Sequence, residues 1–438
     1  MTDIRRTLLW MVFTMSLVFL WDAWNKHTGQ PSWFSPTPPR VAASAPPQGA
    51  SATAPAAVPQ TGIPAAVATP GAAATTAPVA AAPATGQGGG EETVITTDLV
   101  KVTFDSVGAS LVRLELLRQA DAEDRQRQVI LFDRSAERVY KAESGLITAQ
   151  PGVTLPNHWS AMKRVDGAGG AANTLAAGSN ELTLRFESAG EGGVKLAKTY
   201  TFTRGSYQIG VKHELTNNGT AAVTPQLYLG LERDGNPARG ESKWYFTFTG
   251  PAVFTEAKKY DKIDFKDIEK GKTSHVLSAN DGWVAMVQHY FASAWLVPDG
   301  TPREFRTQKV GSNLYAVQMV LPLGELAPGA SKTHEAKLFA GPQEEKNLEA
   351  MAPGLELVKD YGWFTVLAKP LFWVLDQLYK LLGNWGWSIV ALVVLLKIAF
   401  YWLNASAYRS MGKMKALTPR ITDMRERSEE HTSELQSQ

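Results

Sequence analysis

Lys397 has the clearest potential for a chemical role, because it is the only charged residue in the apolar run from Trp385 to Leu403. A charge near the centre of a membrane span costs about 2.5 to 3.5 kcal/mol, so it usually faces a polar interior rather than lipid. Lys397 lies about 10 Å along a helix from Asn404. On the residues alone, two interpretations stay open: the ammonium lines a polar groove, or the long side chain carries it to the nearby membrane surface.

His213 is the second candidate, because it falls on the inward face of a predicted strand from Tyr207 to Leu215 and is followed by the outward Glu214. A sugar-epimerising β-sandwich needs an inward histidine and a carboxylate beside a bound ring. Adjacent residues of a strand point to opposite faces, so His213 and Glu214 cannot act together directly. We therefore expect His213 to be a hydrogen-bonded residue of the core or its rim.

The rest of the sequence offers no enzyme motif. None of the seven histidines forms a pair at the spacing of a helical metal site, and no HExxH, GxSxG or P-loop pattern occurs. The absence of cysteine excludes a disulfide framework, a thiolate metal site and a cysteine nucleophile. The net charge of +2 lacks the basic excess of a nucleic-acid-binding protein. We expect no enzymatic activity, no cofactor, no metal and no nucleic-acid partner.

Two apolar runs organise the chain, and the first lies near the N-terminus, from Thr7 to Trp21. With the residues that follow Asp22 it reaches about 18 residues, or about 27 Å of helix, which is one hydrocarbon thickness. A cleavable signal peptide is the alternative, but no small-residue cleavage site follows the run. Because Arg5 and Arg6 precede it, the positive-inside rule places the N-terminus in the cytoplasm. We predict an uncleaved transmembrane anchor over residues 1–26.

The second run, residues 385–403, is predicted to be a transmembrane helix with tryptophan and tyrosine at its ends as interfacial anchors. The segment 404–427 that follows has six basic and two acidic residues, a net charge of +4. Such a flank belongs in the cytoplasm. Both ends are then cytoplasmic and the region between the spans is external. The basic residues expected to act in this cytoplasmic helical segment are Arg409, Lys413, Lys415 and Arg420.

The region between the spans begins with a tract, residues 27–92, that is rich in alanine and proline. Such a composition cannot bury enough apolar surface to offset the entropy of ordering, so we predict a disordered linker. The glycine run at 86–90 is not a nucleotide-binding loop, because no strand precedes it and no helix follows.

Residues 93–342 change to a period of two, which predicts half-buried strands at 182–186 and 207–215. The tripeptides Arg204-Gly205-Ser206 and Asn217-Asn218-Gly219 are interpreted as hairpin turns between antiparallel neighbours. Without a long helix among the strands, the pattern indicates a two-sheet antiparallel β-sandwich. Further strand signals lie at residues 283–295 and 315–321.

Residues 343–384 contain an amphipathic helix. Lys369, Asp376 and Lys380 are spaced seven and four residues apart, which puts them on one stripe, while leucines and other apolar residues cover the rest. We predict a helix that lies in the outer membrane interface. An ordinary amphipathic helix packed on a soluble domain is the alternative.

Five short stretches carry a family resemblance. They read YKAESGL from residue 140, GWVAMVQHYFASAW from 282, DYGW from 360, GNWGWSI from 383 and SMGKMK from 410. In these residues, and in their order and spacing to Arg427, the sequence resembles the YidC-type membrane protein insertases, the Gram-negative form of the YidC/Oxa/Alb family.

The resemblance implies a mixed membrane protein. Its parts are an N-terminal anchor, a periplasmic β-supersandwich similar to galactose mutarotase folds, an interfacial helix and an α-helical insertase core with a basic cytoplasmic hairpin. The implied function is insertion and folding of inner-membrane proteins, alone or with the Sec translocon. The implied partners are nascent inner-membrane proteins, the Sec translocon, the ribosome, the signal-recognition-particle pathway and the lipid bilayer. The implied location is the bacterial inner membrane, with several spans and a large periplasmic domain.

In this family a positively charged residue, usually arginine, faces a hydrophilic groove in the inner leaflet, and it corresponds to Lys397 here. Lysine keeps the charge but lacks the planar, bidentate fork of arginine. The resemblance therefore favours a groove-lining Lys397 that attracts acidic segments without binding one carboxylate tightly.

Members of the family continue into further spans, whereas this sequence stops at Gln438. Residues 428–438 read like a translated sequencing adapter, so we expect a truncated core and a spurious, non-native tail. A membrane-anchored periplasmic carbohydrate-binding or mutarotase-like protein is the alternative function. A periplasmic scaffold that docks partners is a third.

Overall fold

A computed structural model of the chain gives the fold, and every residue it describes belongs to the second of two compact units, Pro59–Gln438. The predicted anchor, most of the predicted linker, Lys415, Arg420 and the predicted spurious tail lie outside the described residues. The described residues are 62–66, 89–165, 173–238, 247–359, 365–402, 405–406, 408–414, 417, 419, 421–422 and 424.

The strands form two nine-stranded sheets between Glu92 and Pro342. The first sheet has the order β1-β2-β3-β4-β5-β10-β17-β16-β13, and the second has the order β12-β11-β14-β15-β18-β9-β8-β7-β6. The bounds are β1 (Glu92–Thr96), β2 (Val100–Asp105), β3 (Ser110–Ala120), β4 (Gln128–Arg134), β5 (Val139–Ile147), β6 (Met162–Val165), β7 (Glu181–Ser188), β8 (Val194–Thr203), β9 (Gln208–Asn217), β10 (Gln226–Asp234), β11 (Gly250–Thr255), β12 (Lys259–Lys262), β13 (Ser278–Ala279), β14 (Trp283–Val287), β15 (Phe291–Leu296), β16 (Arg303–Gly311), β17 (Leu314–Pro322) and β18 (Ser331–Pro342).

The sheets bury their inner faces against each other. Leu229 and Val317 of the first sheet share one core with Leu196 and Val211 of the second, and each is at most 2% exposed. The alternation that predicted the strands produces this core, because residues two apart on a strand share a face. The predicted antiparallel β-sandwich is therefore confirmed.

One of the two predicted hairpin turns is correct and the other is wrong. Arg204-Gly205-Ser206 joins β8 to β9, which pair antiparallel. Asn217-Asn218-Gly219 instead starts a crossover to β10 in the other sheet, because β18 already occupies the free edge of β9. The buried Asn217 side chain donates to the carbonyls of Ala221 and Leu326 and so fixes the crossover.

A short helix and a 3₁₀ turn pack outside the second sheet. Leu348 and Leu355 are fully buried beside Trp283 of β14, whose indole nitrogen donates to the carbonyl of Pro353 at 3.0 Å. The beginning of the predicted interfacial region thus packs on the sandwich. The helix here is α2 (Glu345–Met351), followed by a 3₁₀ turn at Leu355–Val358. The short helix α1 (Phe265–Glu269) instead packs on the first sheet, where Phe265 lies beside Tyr315 of β17, and a further 3₁₀ turn lies at Glu191–Gly193.

Two longer helices follow, α3 (Thr365–Leu382) and α4 (Trp385–Ala399). Gly383 separates them with a φ of 63°, a backbone conformation that glycine adopts readily. Asn384 caps α4, because its side chain accepts a hydrogen bond from the Trp387 amide at 3.2 Å. None of the helices formed by the described residues has the length and apolar character needed to cross a membrane.

Two parts of the predicted linker belong to the fold: residues 62–66, and residues 90–92, where Gly90 donates to Asp105 and β1 begins at Glu92. Gly62 and Pro64 are buried on the outer face of the first sheet, and Ile63 packs against Ile147 and Tyr228. The sequence reasoning missed this contact, because it treated the whole tract as a tether.

Candidate functional site

Lys397 lies in the last turn of α4, and its side chain is exposed in this single chain. The apolar side chains around it are also exposed, including Val393 at 47%, Leu395 at 46% and Ile398 at 66%. These residues spread over about half of the helix circumference, whereas Leu392 and Leu396 on the remaining side are partly buried. Lys397 is therefore a single cation in an apolar helix that the described part of the chain covers only in part.

The structure places two of the four predicted basic residues of the cytoplasmic segment. Arg409 and Lys413 are exposed helical residues, four apart and hence on one face. Neither they nor Lys397 form an ion pair with a carboxylate of the described residues, and the structure does not assemble them into one site. They form an accessible basic face that follows the apolar helix.

The polar stripe of α3 contacts α2. The carboxylate of Asp376 lies 3.0 Å from Lys346 Nζ and 3.2 Å from Lys380 Nζ, and Lys369 lies 3.8 Å from Glu345. Hydrogen bonds from Lys346 and Lys380 hold the pKa of Asp376 below its usual value. The opposite side of α3 is apolar and exposed, with Leu367 at 63% and Leu381 at 81%. The helix therefore turns its charges toward the sandwich and leaves its apolar side uncovered.

His213, the other predicted candidate, is a fully buried residue of β9 whose Nε2 lies 2.9 Å from Ser144 Oγ. Burial, with the positive charge of Lys198 nearby, lowers its pKa well below the usual value, so the ring is neutral. Glu214 lies on the opposite face and pairs with Arg185. The structure thus confirms the prediction of a hydrogen-bonded core histidine and keeps the carboxylate away from it.

A buried group of charges that sequence reasoning missed lies on the outer face of the first sheet. Lys141 of β5 is opposite Glu232 of β10, and Glu143 is two residues along β5 on the same face. Lys141 Nζ lies 3.0 Å from Glu143 Oε2 and 3.5 Å from Glu232 Oε2. The side chains of Glu143 and Glu232 are only 0% and 6% exposed. We call these three residues the outer-face charge cluster.

The charges of the cluster control one another's protonation. Burial opposes ionisation of Glu143, but the positive charges of His158 and Lys141 outweigh it and lower the pKa of that carboxyl. Burial, together with the negative charge of Glu143, raises the pKa of Glu232 to about 7. One carboxyl is thus ionised and the other is poised near neutrality, a division typical of paired buried carboxyl groups.

His158 and Tyr228 close one side of this cluster. His158 Nδ1 lies 2.5 Å from the Tyr228 hydroxyl and 3.7 Å from Glu143 Oε1. Gly62 lies over the cluster, because a Cβ built on it would be 3.5 Å from both Glu232 Oε2 and His158 Nε2. Perturbed carboxyl groups are candidates for acid–base chemistry, but here they lie beneath a segment of the chain itself.

A separate cavity of about 480 Å³ lies on the face of the second sheet that points away from the core. Its lining includes Asp281, Trp283, Lys212 and Glu335, and residues 351–353 border it. The mixture of an aromatic ring with charged groups suits a small polar ligand.

Two signals in the sequence could have revealed the charge cluster and the segment above it. Lys141 and Glu143 are two residues apart with Ala142 between them, so on a strand both charges lie on the same face. Ile63 is the only isoleucine, leucine, methionine or aromatic residue between Ser35 and Gly90. A single large apolar residue before a proline in such a tract indicates that this part of the tract packs against the folded domain and is not only a spacer.

The chain combines an antiparallel β-sandwich with an amphipathic and an apolar helix, the architecture of a folded domain joined to a membrane-associated helical part. Sequence comparison gives the family. The family model described as the YidC periplasmic domain matches residues 92–374. The model described as the 60Kd inner membrane protein matches residues 377–438. The chain belongs to the YidC family.

Similar relatives bear the name membrane protein insertase YidC. The protein of Cupriavidus necator is 50% identical over 425 residues, which are 97% of this chain and 73% of that protein. The protein of a Janthinobacterium species is 46% identical over 424 residues, 97% of this chain and 72% of that protein. The identity extends from the sandwich into the C-terminal helices.

Among solved structures, a galactose mutarotase-like protein from Lactobacillus casei is similar over 57% of this chain and 100% of that chain, with 12% identity and a TM-score of 0.36. A galactose mutarotase related enzyme from Lactobacillus acidophilus covers 57% and 97% of the two chains, with 10% identity and a TM-score of 0.35.

Proposed function

We propose that this protein inserts membrane proteins into the bacterial inner membrane and assists their folding. The observation that carries the proposal is the 50% identity to a membrane protein insertase over 97% of this chain. Its substrates are then nascent inner-membrane proteins. It acts alone or with the Sec translocon, and the ribosome and the signal-recognition-particle pathway are the further partners that we propose.

The exposed apolar surface of α4 supports a position in the membrane. A helix that is apolar all round is unstable in water and needs lipid or other helices around it. Its 15 residues cover about 22 Å, and after a turn at Phe400 the next residues, Tyr401 and Trp402, are helical again. Trp385 and Trp387 at its start and the aromatic residues after its end suit the two membrane interfaces. We assign residues 385–403 as a transmembrane helix that begins the insertase core.

The orientation follows from charge. Arg409 and Lys413 form an exposed basic face after α4, and Lys415 and Arg420 add to the same basic segment in sequence. The positive-inside rule assigns this segment to the cytoplasm and the sandwich to the periplasm. α3 would then lie in the outer interface, with its charges toward α2 and its exposed apolar side in lipid.

Lys397 would act by electrostatics rather than by a covalent step. A cation in the inner leaflet keeps water in a groove and attracts acidic residues of an incoming chain, because charges interact strongly where the dielectric constant is low. Both effects lower the barrier for moving a polar segment across the membrane. The basic residues at 409, 413, 415 and 420 would guide substrates or the ribosome to the groove entrance.

Depletion of the gene product in its own organism tests the proposal. If the protein is an insertase, quantitative proteomics of the inner membrane will show loss of multi-spanning proteins before periplasmic proteins change. Unchanged inner-membrane composition after complete depletion would contradict the proposal.

A membrane-anchored carbohydrate-binding protein is the second candidate, and the cavity of about 480 Å³ with Trp283 and nearby carboxylates favours it. Titration of the full chain with monosaccharides, followed by tryptophan fluorescence, tests this role. Saturable binding that Asp281→Ala abolishes would support it.

A further inference from the structure

Residues Gly62–Ala66 cover part of the outer face of the first sheet. Gln318 Nε2 donates to the carbonyl of Gly62 at 2.7 Å, and Gln308 Nε2 donates to the same oxygen at 3.2 Å. Arg306 donates to the carbonyl of Ala65. These donors belong to neighbouring strands, β16 and β17, and they recognise the main chain of the segment. Recognition of carbonyl groups holds an extended peptide in place whatever its side chains are.

Apolar contacts select the side chains. Ile63 and Ala66 pack on Ile147, Tyr228 and Val320, which are at most 8% exposed. Pro64 is buried as well, whereas Ala65 is exposed. Proline restricts the backbone before binding, so less entropy is lost when the segment docks. The surface therefore combines main-chain donors with a small apolar patch, as sites for short extended peptides do.

Gly62 meets a special requirement. Its φ of 72° lies in the left-handed region that other residues avoid. This conformation turns the chain over the outer-face charge cluster, close to Glu232 and His158. The segment thus covers the Glu232 and His158 side of the cluster, and its docking is coupled to a buried set of charges.

We propose that the outer face of the first sheet is a peptide-binding site and that Gly62–Ala66 of the same chain is its ligand in cis. Docking fixes the tract between the predicted anchor and β1 at one point on the sandwich. This inference does not depend on the insertase function.

Limited proteolysis of the full chain in detergent with a protease of broad specificity tests whether the segment is docked. In the native chain residues 62–66 are expected to be protected from cleavage, and Ile63→Asp is expected to remove that protection, because a charge cannot occupy the apolar patch. Ala65→Asp is the matched control, since that side chain is exposed and the variant should stay protected. Gln308→Ala supplies a second perturbation from the sandwich side and is expected to weaken protection. Equal, fast cleavage in the native chain and all variants would overturn the proposal.

A labelled peptide with the sequence of residues 61–67 tests the site itself. A tethered ligand competes at an effective concentration in the millimolar range, so Ile63→Asp should bind the peptide at least about tenfold more tightly than the native chain. A peptide of the same composition in scrambled order should bind neither. If the folded variant does not bind the peptide, the surface is not a peptide site. Protection that depends on protein concentration would show that a second copy supplies the segment and would refute binding in cis.

Discussion

Lys141 Nζ bridges two carboxylates on neighbouring strands, 3.0 Å from Glu143 and 3.5 Å from Glu232, on a sheet face covered by the chain's own residues. A buried ion pair contributes little net stability by itself, but removal of one partner leaves the other charge buried and uncompensated. The cluster is therefore a sensitive point of the sandwich.

Lys141→Met is expected to destabilise the sandwich by about 3 to 5 kcal/mol, because Glu143 would stay buried without its cation. Urea unfolding of the full chain in detergent, followed by tryptophan fluorescence, measures the change. Lys101→Met is the matched control: Lys101 is 45% exposed and lies 3.9 Å from Glu115, so its loss should cost less than about 1 kcal/mol. Equal effects of the two substitutions would contradict the importance of the buried cluster.

Glu232 gives the sandwich a dependence on pH. Its pKa of about 7 in the folded chain exceeds the usual value of 4.5, so folding favours the protonated carboxyl. This contribution is fully present below about pH 4.5 and is lost as the pH rises through about 7. The groups facing Glu232 are Lys141, Glu143, His158 and the backbone at Gly62. Glu232→Gln is expected to reduce the loss of stability between about pH 5 and about pH 8, measured by urea midpoints. An unchanged pH profile would disprove the assignment.

The sequence pattern predicted the regular part of the fold well. The alternation in β7 and β9 and the hairpin at Gly205 were all correct, because local periodicity and turn chemistry determine them. The turn at Asn217 could not be predicted in this way, because the same residues can start a hairpin or a crossover. Which of the two forms depends on the pairing of β9 with β18, which lies more than 100 residues later in the chain. The pairing of Lys141 with Glu232 and the docking of Ile63 are equally long-range, so periodicity could not predict them.

Deletion of residues 62–66 is expected to lower the thermal stability of the sandwich, because it uncovers Tyr228 and Val320 and exposes the charge cluster to water. A shift in midpoint of several degrees, measured by circular dichroism, is of the order expected for loss of about 1 to 3 kcal/mol in a domain of this size. Deletion of residues 72–76, which equals it in length, is the control. An equal effect of the control deletion would show that tract length, rather than docking, matters.

The proposed topology can be tested with reporter fusions. Alkaline phosphatase folds only outside the cytoplasm, so a fusion after Ser206, in the loop between β8 and β9, should be active. A fusion after Lys413, in the basic segment, should be inactive. The reverse pattern of activities would refute the orientation.

The two roles considered for Lys397, lining a polar groove and reaching the membrane surface, predict opposite results for Lys397→Ala. If its charge draws polar segments into the inner leaflet, Lys397→Arg at the chromosomal locus should retain insertion, Lys397→Ala should impair it and Lys397→Glu should impair it further, because a negative charge repels acidic substrates. If the side chain only extends to the membrane surface, Lys397→Ala should be harmless, since it removes an insertion cost of about 2.5 to 3.5 kcal/mol. Growth after depletion of the native protein, read together with the membrane level of each variant, distinguishes the two.

Lys380→Ala is a suitable control, because Lys380 is paired with Asp376 at 3.2 Å and lies outside the proposed span. The most sensitive substrate is a Sec-independent protein with an acidic translocated tail, for which the electrostatic contribution is largest. Normal insertion of that substrate by Lys397→Ala at native abundance would exclude the groove role.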